Sequence, residues 1–191
     1  PGEPHDTVNV SEVYGKKIDS AFIGSCTNGR MNDMQKVADI LKNRKIAPGV
    51  VLKIVPATDS VWKQCLNNGL IDIFKKAGAL VSNAGCAGCA AGQVGQNGPG
   101  EVTISTGNRN FPGKQGKGNV YLASPEVVAA SSVAGFITTP DNIPELPSLF
   151  VKPEKPAEVF KKYNKNVAAH KKESVFRGRI WLIPKDNIDT D

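Results

Sequence analysis

The sequence predicts an α/β fold with a mainly parallel sheet flanked by helices. Three observations predict it. Apolar runs of strand length recur along the first two thirds of the chain, helical apolar stripes lie between them, and glycine or proline punctuates the junctions.

Residues 18–24 (IDSAFIG) form a short apolar run ending in glycine, the pattern of a strand buried in a parallel sheet. Residues 30–43 set Met34, Val37, Ile40 and Leu41 on one helical stripe, stopped by Ala47, Pro48 and Gly49. Residues 50–55 read as the next strand. Asp59 or Ser60 can cap a helix carrying Val61, Trp62, Cys65 and Leu66, which breaks at Asn67, Asn68 and Gly69. A second helical stretch spans 70–77 and ends at Gly78, and 79–81 form a short strand just ahead of a cysteine pair. After a glycine-rich loop come strands at 101–106 and 119–122, separated by the loop GNRNFPGK. Ser124, Pro125 and Glu126 make a strong helix start, with serine capping and proline in the first helical position; that helix runs to Gly135.

From Thr138 the composition changes. Pro140, Pro144, Pro147, Pro153 and Pro156 give an extended or irregular connector, with room for a short helix at 156–163. A new apolar run, RIWLIP at 179–184, follows from about Val175. The domain expectation is therefore an α/β domain at 1–137, a proline- and lysine-rich linker at 138–174, and the first strand of a second domain at 175–191. The chain begins at Pro1 and stops at Asp191 inside a motif, so it reads as a piece of a longer polypeptide.

The 191 residues suffice for one ordinary core, and 40% hydrophobic with 22% charged residues is normal for a globular protein. No apolar run approaches a membrane span, and no secretory leader pattern opens the chain. Four unevenly spaced cysteines do not resemble a secreted disulfide framework, so a reducing compartment such as the cytoplasm is expected. The net charge of +6 suits anionic partners, either nucleic acid or small carboxylates. The lysines crowd residues 152–172, which read as a solvated segment, and no aromatics interleave them at base-stacking intervals. Nucleic acid is therefore the less favoured partner, and a membrane partner is not expected.

Cys26, Cys86 and Cys89 each follow a predicted strand and sit among small residues. In a parallel sheet they share the rim where loops converge, together with Asn108 and Arg109. Three thiolates are one short of the usual four for an iron–sulfur cluster or a structural zinc site. The residues alone leave three readings open: an iron–sulfur site, a zinc site completed by Cys65, His5 or His170, or redox or structural thiols. Cys65 sits on a helical apolar stripe and reads as a core residue, and the two histidines read as surface. Arg109 can grip a carboxylate with two parallel charge-assisted bonds; an isolated NRN is also a common tight turn.

The segments FIGSCTNGR, GCAGCAAGQ, STGNRNFPGKQG, VYLASPEVVAASSVAG and GRIWLIPKDNIDTD together resemble the aconitase superfamily. Within it they resemble the branch formed by the large subunits of 3-isopropylmalate dehydratase and homoaconitase. The resemblance runs from about residue 18 to 137 and resumes at 178–191. It implies that Cys26, Cys86 and Cys89 hold a [4Fe–4S] cluster with one iron left free as a Lewis acid for a hydro-lyase reaction. It further implies that Asn108 and Arg109 contact cluster and substrate. Lys114 stands where many members have a second arginine, keeping the charge but losing the two-pronged geometry. Thr190 and Asp191 match the opening motif of the family's swivelling domain.

The family's acid–base groups fall in segments outside this chain, so the resemblance implies cluster binding without turnover by the fragment alone. It implies a small di- or tricarboxylate substrate, and as partners the preceding domains and a swivelling domain or small subunit. Two rivals stand beside it: an RNA-binding switch related to aconitase, and a zinc-stabilised interaction domain.

Overall fold

The computed structural model describes residues 6–90 and 92–146, apart from the side chain of Cys89. The expected helix at 156–163, the strand from 175, His5, His170, Thr190, Asp191 and most of the expected linker lie outside the described residues.

Five strands, β1 (Ser20–Gly24), β2 (Val51–Val55), β3 (Leu80–Val81), β4 (Val102–Ser105) and β5 (Asn119–Leu122), form one wholly parallel sheet. Their order is β3-β2-β1-β4-β5. The chain starts in the middle, steps outward to β3, then returns to the other side of β1. That reversal makes the crevice between the ends of β1 and β4 a topological switch point, the usual ligand position in open α/β sheets.

Helices α1 (Val10–Val13), α2 (Met31–Leu41), α3 (Asp59–Asn67), α4 (Leu70–Ala77) and α5 (Pro125–Ala134) complete the described elements, with a 3-10 turn at Ala87–Cys89 and another at Pro140–Asn142. Alternation along the strands decides what each face of the sheet meets. Ala21 and Ile23 of β1, Leu52 and Ile54 of β2 and Ile104 of β4 join Met34, Val37 and Leu41 of α2, Phe74 of α4 and Val128 of α5 in one apolar core. Helices α2, α4 and α5 pack on one another and on this face. The intervening residues, Phe22, Lys53, Val55, Thr103 and Ser105, point the other way. No described helix covers them. The 3-10 turn at Ala87–Cys89 packs on Phe22 and Val55 there through Ala87, the Gln96 carbonyl meets Lys53, and Gln115 meets Ser105.

Most element ends follow the predicted chemistry. Ser124 caps α5 by accepting from the Val127 N–H, Pro125 opens it, and Gly135 closes it with φ +87°. One cap differs. Asp59 and Ser60 both lie inside α3, and Thr58 is the cap, its hydroxyl accepting from the Val61 N–H at 3.2 Å. Thr58 alone of the three has the extended backbone that aims a side chain back at the first turn, while Asp59 pairs with Lys63 at 2.7 Å. The expected strand at 18–24 is two residues shorter at its start. Helix α1 is additional to the predicted elements; Asn9 and Glu12 form its capping box, a legible N-x-x-E signal. Beyond residue 137 the chain keeps packing: Thr138 is buried against Ser131, and Ile143 rests on the core. Among the described residues no helix is long and apolar enough to cross a membrane.

Candidate functional site

Strand β1 ends at Gly24, and the chain turns sharply through Ser25 into Cys26, with a cis peptide between Gly24 and Ser25. The Thr106 hydroxyl, just past the end of β4, accepts from the Gly24 N–H at 2.9 Å and donates to the Gly24 carbonyl at 2.7 Å. Asn28 then donates to the Thr106 carbonyl at 2.7 Å. These three bonds tie the β1 and β4 loops across the switch-point crevice. Gly29 lets the turn close, because a side chain there would meet the backbone of Ser25 at 2.5 Å and of Val55 at 2.9 Å.

On this frame stands Cys26, an exposed free thiol. The Asn108 amide nitrogen lies 4.0 Å from its sulfur, and the Thr27 hydroxyl donates to the Asn108 carbonyl oxygen. The second free thiol, Cys86, is exposed at the head of the 3-10 turn that ends in Cys89. Ala87 in that turn takes φ +48°, an uncommon conformation for a residue with a side chain, and its N–H is accepted by the Gln93 side chain at 3.0 Å. Ala87 packs on Phe22 and Val55, so the turn sits against β1 and β2. The Cys89 side chain is outside the described residues. Among the described side chains, no three His, Cys, Asp or Glu are grouped closely enough to hold a metal ion.

Asn108, Arg109, Asn110 and Phe111 line a cleft of about 950 Å³ between the β5 edge and the N-terminal segment, whose other walls include Val8, Val10, Val13 and Tyr121. Asn110 anchors this loop by donating to the Val120 carbonyl at 3.1 Å, which leaves Arg109 exposed at the rim. Lys114 bends back on the same loop, its ammonium 6.0 Å from the Phe111 ring centre. The structure thus brings together Cys26, Asn108 and the Arg109 loop, and sets Cys86 at the same carboxyl end of the sheet. Cys65 is fully buried in the helical core, where desolvation pushes its thiol pKa up, so it is a packing residue.

Sequence reading missed the glutamines. Gln93, Gln96 and Gln115 all bond into the cysteine loop, and Gln115 is buried. A polar residue recurring at 93, 96 and 115 among glycines is a weak signal, since loops are rich in polar residues anyway. Lys53 falls within the strand predicted at 50–55. It is half-buried beneath the loop, where desolvation lowers its pKa and Glu101 opposes that fall.

Two exposed free thiols beside glycines, with one side-chain amide nitrogen 4.0 Å from the Cys26 sulfur, are of the kind a thiolate-held iron–sulfur group uses. The profile of the Aconitase family (aconitate hydratase) matches residues 4–135. The chain belongs to the aconitase family. It is 50% identical over 145 residues to the probable 3-isopropylmalate dehydratase large subunit of Methanothermobacter thermautotrophicus, covering 73% of this chain and 35% of that protein. It is 48% identical to the 3-isopropylmalate dehydratase large subunit of a Sulfurihydrogenibium species, with 75% and 34% covered. It is 45% identical over 138 residues to the homoaconitase large subunit of Thermus thermophilus, with 71% and 33% covered. This aconitase-family chain spans about a third of the length of the curated relatives it matches.

Proposed function

We propose that this chain is the cluster-bearing part of a [4Fe–4S]-dependent hydro-lyase that moves a hydroxyl between adjacent carbons of a malate- or citrate-like acid. The observation that carries the reading is the meeting of Cys26 and Asn108 at the switch point of a parallel sheet, with the Cys86 turn at the same end. Cys26, Cys86 and Cys89 are the residues that hold the cluster. When bound, it supplies a Lewis-acidic iron that polarises the hydroxyl and carboxylate oxygens of the substrate.

The chain's own groups bind and orient. Arg109 is exposed and forked, suited to a substrate carboxylate; Lys114 adds a second positive charge on the same loop without the fork. Asn108 sets its amide nitrogen 4.0 Å from the Cys26 sulfur, and the Thr27 hydroxyl donates to its carbonyl oxygen, an arrangement that turns the amide N–H toward sulfur. Thr190 and Asp191, in the motif that resembles the start of the family's swivelling domain, are further substrate-binding residues of this reading. The groups that take the proton from carbon belong to other segments, and the "large subunit" in the relatives' names supports a swivelling domain or small subunit as partner. The substrate class is a small di- or tricarboxylate, and the compartment a reducing one, such as the cytoplasm.

Anaerobic reconstitution of the full chain with iron and sulfide tests this. Four irons and four sulfides per chain are expected, with a broad visible absorption band that is lost in Cys86→Ser. Cys86→Ser assembling the same cluster with unchanged affinity overturns the assignment. One zinc and no iron, with unfolding on chelation, also overturns it.

A further inference from the structure

Phe22, Lys53 and Ser105 stand side by side in the sheet register: Phe22 is opposite Lys53 on β2 and opposite Ser105 on β4. All three reach the cysteine loop. The Lys53 ammonium donates to the Gln96 carbonyl at 3.0 Å. The Ser105 hydroxyl donates to the Gln115 side-chain oxygen at 2.8 Å, and the Gln115 amide donates to the Gly95 carbonyl at 3.0 Å. Between them the Phe22 ring lies under Gly95 so closely that a side chain at Gly95 would meet it at 2.8 Å. Residues 95 and 96 are therefore pinned to the sheet from three adjacent strands.

The Gln96 side chain passes this anchorage on. Its amide nitrogen donates to the Gly88 carbonyl at 3.0 Å and to the Ala90 carbonyl at 3.2 Å, the two carbonyls that flank Cys89. A primary amide has two N–H donors, and here both are used, one on each side of the cysteine. The 3-10 turn is only three residues long, so no helix ladder satisfies these carbonyls; the Ala90 carbonyl also accepts from the Gln93 N–H at 3.4 Å, and Gln96 supplies its shorter bond. From this geometry we infer that Gln96 is a positioning residue, the brace that sets the Cys86–Cys89 turn relative to β1 and hence to Cys26. The brace is a property of the metal-free chain; that it prepares a cluster site rests on the function proposed above.

Two variants of the full chain test it. Gln96→Ala removes both donors, and Gln96→Glu keeps the shape while putting carboxylate oxygens against two carbonyls. Amide hydrogen exchange of the metal-free chain reads the brace directly. Two lost bonds of ordinary strength predict exchange about tenfold faster or more across residues 85–93 in both variants, with α2 and β2 amides unmoved. Gln35→Ala, which breaks a surface bond to Asp39 on α2, is expected to leave the loop at the parent rate. In reconstituted protein, iron loss to a chelator is expected to be at least severalfold faster in both Gln96 variants. Parent-rate exchange at 85–93 in both variants overturns the inference. Faster exchange across the whole sheet also overturns it, since Gln96 would then serve general stability. If the parent takes up no cluster while the variants still loosen 85–93 alone, the brace stands and the cluster function falls.

Discussion

The amide nitrogen of Asn108 lies 4.0 Å from the sulfur of Cys26, although 82 residues separate them in sequence. One follows β4 and the other follows β1, so the contact exists only because the chain doubles back to lay β4 beside β1. An N–H donor next to a thiolate ligand stabilises the more negative, reduced state of a cluster. If the proposed cluster forms on Cys26, Asn108→Ala is expected to lower its reduction potential, and Asn108→Asp to lower it further by adding negative charge. A redox titration followed by electron paramagnetic resonance reads this, and equal potentials in all three proteins would refute the contact's role.

Phe22 joins fold and site, being wholly buried between the sheet and the Ala87 turn. Phe22→Ala leaves a cavity on the loop-covered face and is expected to cost about 3–5 kcal/mol in urea unfolding. Phe22→Leu, which keeps most of the volume, is expected to recover more than half of that loss.

Gly29 has backbone on three sides, from Ser25, Val55 and Ala57. Gly29→Ala must push main chain, which cannot give as a flexible side chain does. A loss of about 1–3 kcal/mol is expected, with spectroscopic change concentrated at Cys26 and Asn28. Gly49→Ala makes a useful contrast. Nothing lies within 4 Å of its added methyl, so any cost there comes from its φ of +85° alone.

Lys36 of α2 bonds Glu126 at the start of α5 at 2.6 Å. That hydrogen bond, more than any other contact, holds the Glu126 carboxyl below its ordinary range. A carboxylate with a depressed pKa contributes stability above its unfolded value, and the contribution is lost as pH falls through its folded value. Lys36→Met is therefore expected to raise the Glu126 titration seen by carbon NMR. The small stability gap between parent and variant is expected to close in acid. Both side chains are partly exposed, so the gap stays small at any pH.

Local chemistry made much of this fold legible. Ser124, Pro125 and Gly135 bracket α5 by rules that act within one turn, and Gly69 and Gly78 bracket α4 with left-handed backbone. A short apolar run marked β1, which is buried along its whole length, because a strand covered on both faces must be apolar or small. The α3 cap escaped because Thr58, Asp59 and Ser60 are all good capping residues, and only backbone conformation chooses among them. The glutamine contacts escaped for a deeper reason. Gln96 reaches back six and eight residues and Gln115 reaches back twenty, across a loop with no periodicity.

Residue type and short-range pattern were enough to give the α/β class, the succession along the chain of the five strands and of helices α2 to α5, and the candidate cysteines and Asn108–Arg109 pair. Tertiary structure decided the rest. It put helices on one face of the sheet and a glycine-rich loop on the other, and it joined Cys26 to Asn108 at the switch point. It also turned Phe22, Lys53 and Ser105 into a single row under the cysteine turn. Those relations depend on strand order and register, which hydrogen bonds between distant segments settle and local propensity does not.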